Sequence, residues 1–406
     1  MSPEPALPLA ARSKDLVGSV IDSSTSLLDK QTHDIVRFAM GSPADEAIPT
    51  EVLAAVGVEA IGAGSPDAFG YAATEGDPEL RNALLAELDG TSDQTTPDRL
   101  TITAGGMQGL DLACKLFIDP GDLVVVESPT YTNGSATALS YQASLLEIPV
   151  DEDGMQVDVL EDRVRRGGVT PKVIYAIPTF QNPSGTTLSL ERRQRLLELT
   201  REWGSILIDD DPYGLLRFEG DPLPTLHELA DGDPLVFSVR TFSKIVAPGL
   251  RVGWLDTDPS LGQLLINAKQ AMDTCTNLPA QRLLAGFLRG GHLAEHLVTQ
   301  RAEYRLRKEA MQQSLATHFG DSATWTDPHG GFFLWVTLDE TVDTTALFPV
   351  ALEEGVAFIP GKAFSPSEQF PHALRVCFAS SSPARIEVGV ERLHRAVDRV
   401  AAEGRA

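Results

Sequence analysis

Five short apolar runs, residues 123–127, 173–177, 205–208, 235–237 and 252–255, constrain the fold of this chain more than any other feature. Each is too short for a helix and nearly free of charge, which suits strands covered on both faces. Between two of them, residues 190–203 place Leu196, Leu199 and Trp203 at helical spacing. Ser189 stands there as an N-cap and Gly204 just past the end. Strands alternating with helices predict an α/β fold: a mostly parallel central sheet with helices on both faces.

In such a sheet ligands lie beyond the carboxyl ends of the strands. The residues that follow the first four runs are chemically active. Tyr131 follows the first and Asn182 the second; Asp209, Asp210, Asp211 and Tyr213 follow the third, and Thr241, Ser243 and Lys244 the fourth. Each has a plain alternative: a loop aromatic, a turn starter before Pro183, a solvated acidic loop, a surface Ser-Lys pair. Four such groups leaving one sheet edge together point to a site. A buried or cation-flanked lysine loses its proton readily and attacks carbonyls. Thr241, Ser243 and Arg251 can grip a phosphate, the arginine with two prongs.

Other stretches carry weaker signals. Residues 100–103 read as a strand, and Ala104-Gly-Gly-Met-Gln108 opens a helix through Phe117. Free N–H groups and the dipole at such a helix start form an anion site, although a tight turn needs the same glycines. Gly41 marks a bend or a close backbone approach. Pro78 starts a helix after a loop holding Tyr71. Arg375 lies mid-strand among apolar neighbours, where it is costly unless a protein acid or a ligand anion meets it.

At 406 residues the chain suits two domains, and its composition, 42% hydrophobic and 22% charged, is that of a globular protein. The net charge of -24 argues against nucleic acid. Cys114, Cys275 and Cys377 are widely spaced and odd in number, which reads as reduced thiols of a cytoplasmic protein. No run is long enough to span a membrane, and the N-terminus lacks a signal-peptide pattern. Residues 1–35 are expected to form an N-terminal arm, with a short helix over 16–28. Residues 36–290 then form a large α/β domain, whose first part could join the small one. A change of composition near Gly290 opens a small α+β domain over 291–406, ending in a helix from Pro383 with Ile386, Val390, Leu393, Val397 and Val400 on one face.

The segment Ser238-Val-Arg-Thr-Phe-Ser-Lys-Ile-Val-Ala-Pro-Gly-Leu-Arg251 resembles the lysine motif of class I/II aminotransferases, the fold-type-I pyridoxal-phosphate enzymes. The branch it most resembles is that of 2-aminoadipate and multi-substrate aminotransferases. The resemblance spans residues 35–400. It implies pyridoxal 5'-phosphate as cofactor, held by Lys244 as an internal aldimine. Asp210 would meet the ring nitrogen, Tyr213 and Asn182 the ring hydroxyl, and Tyr131 the ring face. Gly106, Met107 and Gln108, together with Thr241, Ser243 and Arg251, would hold the phosphate. The family turn is usually Gly-Ser-Gln-Gln, so here one hydroxyl donor is missing. Arg375 would clamp the substrate carboxylate under a cover at Gly41, and Tyr71 would reach the neighbouring site of a homodimer. The partners are then an amino acid and a 2-oxo acid, with neither nucleic acid nor membrane, in a ping-pong exchange of amino-acid metabolism or biosynthesis. Elimination, replacement, oxidation or cyclisation on the same scaffold is the alternative.

A DNA-binding regulator built on this fold would carry a basic winged-helix module ahead of it, and fewer than about 40 residues precede the match. The family usually has glycine where this chain has Arg240. That arginine either faces a carboxylate in the sheet or binds a second acidic group of the substrate.

Overall fold

The computed structural model describes residues 7–18, 32–61 and 66–403. Fourteen strands lie within them: β1 (Val36–Arg37), β2 (Leu100–Thr103), β3 (Leu123–Ser128), β4 (Ser144–Asp151), β5 (Gly154–Met155), β6 (Val173–Ala176), β7 (Ile206–Asp210), β8 (Val236–Thr241), β9 (Gly253–Asp256), β10 (Ala323–Trp325), β11 (Phe333–Leu338), β12 (Val356–Ala357), β13 (Ile359–Pro360) and β14 (Ala373–Cys377).

Eight of them form the large sheet, in the order β2-β9-β8-β7-β6-β3-β4-β5. The run from β8 through β7, β6 and β3 to β4 is parallel, whereas β9 is antiparallel to both of its neighbours. Alternation along each strand builds two cores. Val124, Val126, Tyr175 and Ile208 enter one cluster, while Val125, Ile174 and Leu207 enter the other. Each fully buried aliphatic side chain contributes about 1.5–3 kcal/mol. The helix Leu190–Trp203 covers the second cluster; Ser189 accepts from the Arg192 N–H, and Gly204 closes the helix in the left-handed conformation.

β8 runs beyond the apolar residues 235–237 and carries the charged Arg240 into the sheet, buried. Partners make this possible. Arg240 Nη2 meets Asp93 at 2.9 Å and Asp209 at 2.8 Å, and its Nη1 donates to the Asp209 carbonyl at 2.9 Å. Of the two roles open to Arg240, facing a carboxylate is the one observed. β4 has no counterpart among the sequence expectations. Its half-buried, Pro149-containing run lacks the continuous apolar character of its neighbours.

A second sheet, β10-β11-β14-β13, is antiparallel throughout. The helices His292–Phe319 and Pro383–Glu403 belong to this part of the chain. β1 pairs in parallel with β12, and the Asp34 carboxylate bridges Arg385 (2.7 Å) and Arg392 (2.9 Å) on the last helix. Residues 34–37 therefore pack with the C-terminal layer. In the arm, Ala11–Asp15 forms a 3-10 turn whose Asp15 accepts from Gln142 at 3.0 Å. Of the helix expected over 16–28, residues 19–28 lie outside the described residues, and 16–18 carry no regular structure. Among the described residues no helix is long and apolar enough to cross a membrane.

Candidate active site

Because β3, β6, β7 and β8 are parallel neighbours, their carboxyl ends share one edge of the sheet. At that edge a cavity of about 250 Å³ is lined by residues at the ends of β7 and β8 and by the segments that follow all four strands, with Gly41, Gly106, Phe333 and Arg375 completing its walls. Met107, Tyr131, Asn182, Asp210, Tyr213, Thr241, Ser243, Lys244 and Arg251 face it as well.

Lys244 follows the end of β8, and its Nζ donates to the Gly41 carbonyl at 2.6 Å. Burial lowers its pKa to about 8, with Arg375 and Arg251 pushing the same way and Cys377 and Asp210 opposing. A fraction of the amine is therefore neutral, and nucleophilic, near physiological pH. Asp210, the last residue of β7, is raised to about 7, chiefly by burial. The Tyr175 hydroxyl donates to its Oδ2 at 2.8 Å, and this bond and the nearby Arg240 partly restrain the shift. A cation brought against Asp210 favours its ionised form. Tyr175 was not among the sequence candidates. A phenol inside a buried strand needs a partner for its hydroxyl, and that was the available signal.

Opposite the sheet edge lies Arg375 on β14. Its Nη1 donates to Asn182 Oδ1 at 3.0 Å and its Nη2 to the Ala39 carbonyl at 2.7 Å. The guanidinium stacks on Phe333, 4.2 Å from the ring centre. Its Nε is buried without a partner, and burial lowers its pKa. A protein carboxylate is not its counterion among the described residues, so an anion entering the cavity can take that place. Tyr213 is buried between Phe332 and Phe333, and burial holds its phenol well above the ordinary range.

At the other end the helix Gly106–Phe117 starts after Gly105, whose φ is +82°. A Cβ on Gly105 would lie 2.6 Å from Arg251 Nη2, so only glycine lets the guanidinium cross this turn. Arg251 Nη1 donates to Ser243 Oγ at 3.3 Å, and Thr241 Oγ1 donates to the same oxygen at 3.0 Å. Helix N–H groups, two hydroxyls and a guanidinium therefore converge. This donor set fits a phosphate group, and Lys244, Asp210, Asn182 and Tyr213 fit a pyridine aldehyde attached to it.

Two sequence candidates are placed elsewhere. Gln108 accepts from the Ala104 N–H and donates to Asp273, each at 2.8 Å, and so braces the turn instead of lining the cavity. Tyr71 is 91% exposed and outside the cavity of its own chain. Met40, Ser42, Leu110, Asn133, Ile177, Pro212, Pro248 and Phe333 complete the walls without having been singled out. Leu110, Asn133, Ile177, Pro212 and Pro248 border segments already singled out, whereas Phe333 reaches the cavity from the antiparallel sheet, a crossing that no local pattern displays.

The family model for class I and II aminotransferases matches residues 33–393. The aromatic-amino-acid aminotransferase 1 of Thermococcus litoralis is 36% identical over 89% of this chain and 88% of its own length. The 2-aminoadipate transaminase of Thermus thermophilus is 37% identical over 90% and 91%, respectively. Among solved structures, the α-aminoadipate aminotransferase of Thermus thermophilus, complexed with N-(5'-phosphopyridoxyl)-L-leucine, superposes with a TM-score of 0.89. That pair is 34% identical and covers 97% of this chain and 98% of the other.

Proposed function

Because the chain belongs to the class I and II aminotransferases, and so transfers an amino group with the aid of pyridoxal phosphate, we propose that it exchanges that group between an L-amino acid and a 2-oxo acid by a ping-pong route centred on Lys244. The carrying observation is the pairing of a lysine with a depressed pKa and a guanidinium without a carboxylate across one cavity.

Pyridoxal phosphate, when bound, supplies a carbonyl for amine exchange and a ring that takes up electrons. The residues divide the remaining work. Gly106, Met107, Thr241, Ser243 and Arg251 hold the phosphate end, and Tyr131 packs along the cavity wall. Asp210, oriented by Tyr175, holds a proton at the ring nitrogen. Asn182 and Tyr213 serve the ring hydroxyl. Arg375 binds the α-carboxylate, and Asn182 fixes its fork. Lys244 Nζ, once free, carries protons at the reacting carbon. The Gly41 carbonyl, 2.6 Å away, restrains where that amine points.

Each cation of the described cavity is thereby committed, Lys244 to chemistry, Arg251 to phosphate and Arg375 to the α-carboxylate. Met40, Leu110 and Phe333 leave an apolar wall for the substrate side chain. We read the preferred donor as an amino acid with an aromatic or aliphatic side chain, in keeping with the name of the Thermococcus relative.

A homodimer is part of this reading. Phe69, Tyr71, Leu264 and Met272 are exposed apolar groups that a second copy would cover, with Tyr71 reaching the partner's phosphate. Cys114, Cys275 and Cys377 are free thiols, the first and last of them buried, in keeping with a reducing cytoplasm.

The test adds single amino acids to cofactor-loaded protein without an oxo acid. One equivalent of the matching 2-oxo acid per chain, without ammonia, is expected, with phenylalanine or leucine ahead of aminoadipate. Release of ammonia or a side-chain fragment overturns transamination. Preference for aminoadipate overturns only the substrate reading.

A further inference from the structure

A second cavity, of about 310 Å³, shares Pro212 and Thr241 with the active site but is lined otherwise by a different group of residues. Four guanidiniums face it: Arg193, Arg217, Arg240 and Arg301. Arg240 is matched by Asp93 and Asp209. Among the described residues the other three bind only neutral acceptors. Arg193 donates to the carbonyls of Leu188 (2.8 Å), Pro224 (3.0 Å) and Pro178 (2.8 Å) and to Thr179 Oγ1 (3.0 Å). Arg217 reaches one carbonyl, that of Glu219, at 3.3 Å and lies over the Phe180 ring at 4.7 Å. Arg301 donates through Nε to the Leu215 carbonyl at 2.8 Å, leaving its two terminal nitrogens for another partner.

Among the described residues lining this cavity, the one carboxylate not paired with Arg240 is Asp211. Its Oδ1 accepts from the N–H groups of Tyr213 (3.2 Å) and Gly214 (2.7 Å), and its charge partly offsets those of Arg193 and Arg217. Counted together, the four guanidiniums face three carboxylates, Asp93, Asp209 and Asp211, which leaves a surplus of one positive charge in a chain whose net charge is -24. Burial lowers the pKa of Arg193, Arg217 and Arg301, so each carries an unfavourable desolvation that an anion would relieve. Guanidinium forks with free N–H groups match clustered anionic oxygens. Arg217 is also stacked on an aromatic ring, which holds its plane fixed.

We propose that this Arg193–Arg217–Arg301 cavity is a binding site for a small anion bearing a phosphate or paired carboxylates, distinct from the catalytic cavity. Arg217 and Arg301 supply the free donors, and Arg193, saturated by carbonyls, supplies charge at the cavity floor. The proposal does not depend on which amino acid the enzyme uses.

The test is calorimetric titration of the holoenzyme with inorganic phosphate and, separately, with succinate, following the cofactor absorbance throughout. The expected result is one saturable site per chain for at least one probe, with the cofactor retained. The Arg217→Ala/Arg301→Ala pair should weaken it about tenfold or more, whereas Arg375→Leu should leave it intact. Phosphate binding identifies a phosphate-type ligand and succinate binding a dicarboxylate. If the double variant does not fold, Arg217→Gln and Arg301→Gln, tested singly, are expected to show the same weakening. No saturable binding of either probe up to about 10 mM overturns the proposal. So does binding that disappears in Arg375→Leu yet survives loss of Arg217 and Arg301.

Discussion

Asn182, at the edge of the eight-stranded sheet, accepts a 3.0 Å hydrogen bond from Arg375 on the antiparallel sheet, and so joins the two halves of the cavity. If Arg375 binds the substrate carboxylate as proposed, Asn182 is the residue that aims it. Arg375→Leu is expected to lower kcat/KM by about 10²-fold or more, because a buried charge partner is removed. Asn182→Ala should cost about tenfold, mostly in KM. Steady-state kinetics with one amino acid checks both, and an unchanged KM in both variants contradicts the assignment.

Lys244 should react at unusually low pH. Its amine becomes neutral as pH rises through about 8, well below the ordinary lysine range, because burial disfavours the charged form. Covalent capture of pyridoxal phosphate by the apoprotein, fixed with borohydride and read by mass spectrometry, should rise through that pH. Lys244→Ala should abolish capture and lower turnover by about 10³-fold or more.

Removal of the Tyr175 hydroxyl should move the acid limb of the pH profile. Its hydrogen bond favours ionised Asp210, so in Tyr175→Phe the Asp210 pKa rises further. At a given pH less carboxylate is then ionised, and the acid limb of kcat/KM should shift to higher pH, with a loss of about tenfold at neutrality. A profile that falls uniformly without shifting would contradict this role.

Gly105→Ala combines a backbone φ of +82° with a Cβ 2.6 Å from Arg251. Backbone strain of this kind costs about 1–3 kcal/mol. Thermal unfolding should show that loss together with weaker retention of cofactor. Adding Arg251→Ala removes the clash but leaves the backbone strain, so the unfolding temperature should recover in part, while cofactor retention, which loses the Arg251 guanidinium, should not.

Tyr71 tests the dimer directly. If it completes the neighbouring site, a mixture of inactive Lys244→Ala and weak Tyr71→Ala chains should regain activity through hybrids holding one intact site. Mixtures no more active than the sum of their components would remove Tyr71 from the partner's site.

The sequence by itself determined what is local. The continuous apolar runs 123–127 and 173–177 marked strands covered on both faces, Ser189 and Gly204 bounded a helix, and the order of four strand-end segments placed Tyr131, Asn182, Asp210 and Lys244 on one edge. Periodicity, capping and parallel connection act over a few residues or follow from chain order, so a single sequence displays them. Tertiary structure alone decided the rest. Arg240 could not be assigned until Asp93, 147 residues away, was seen beside it. Tyr175 gained a role only through Asp210, and Gln108 lost its place in the cavity to Ala104 and Asp273. The three arginines of the second cavity come from separate segments with no shared pattern. Whether a buried polar group is a structural partner or a ligand's partner depends on which distant atoms satisfy it, and only the folded chain brings those atoms together.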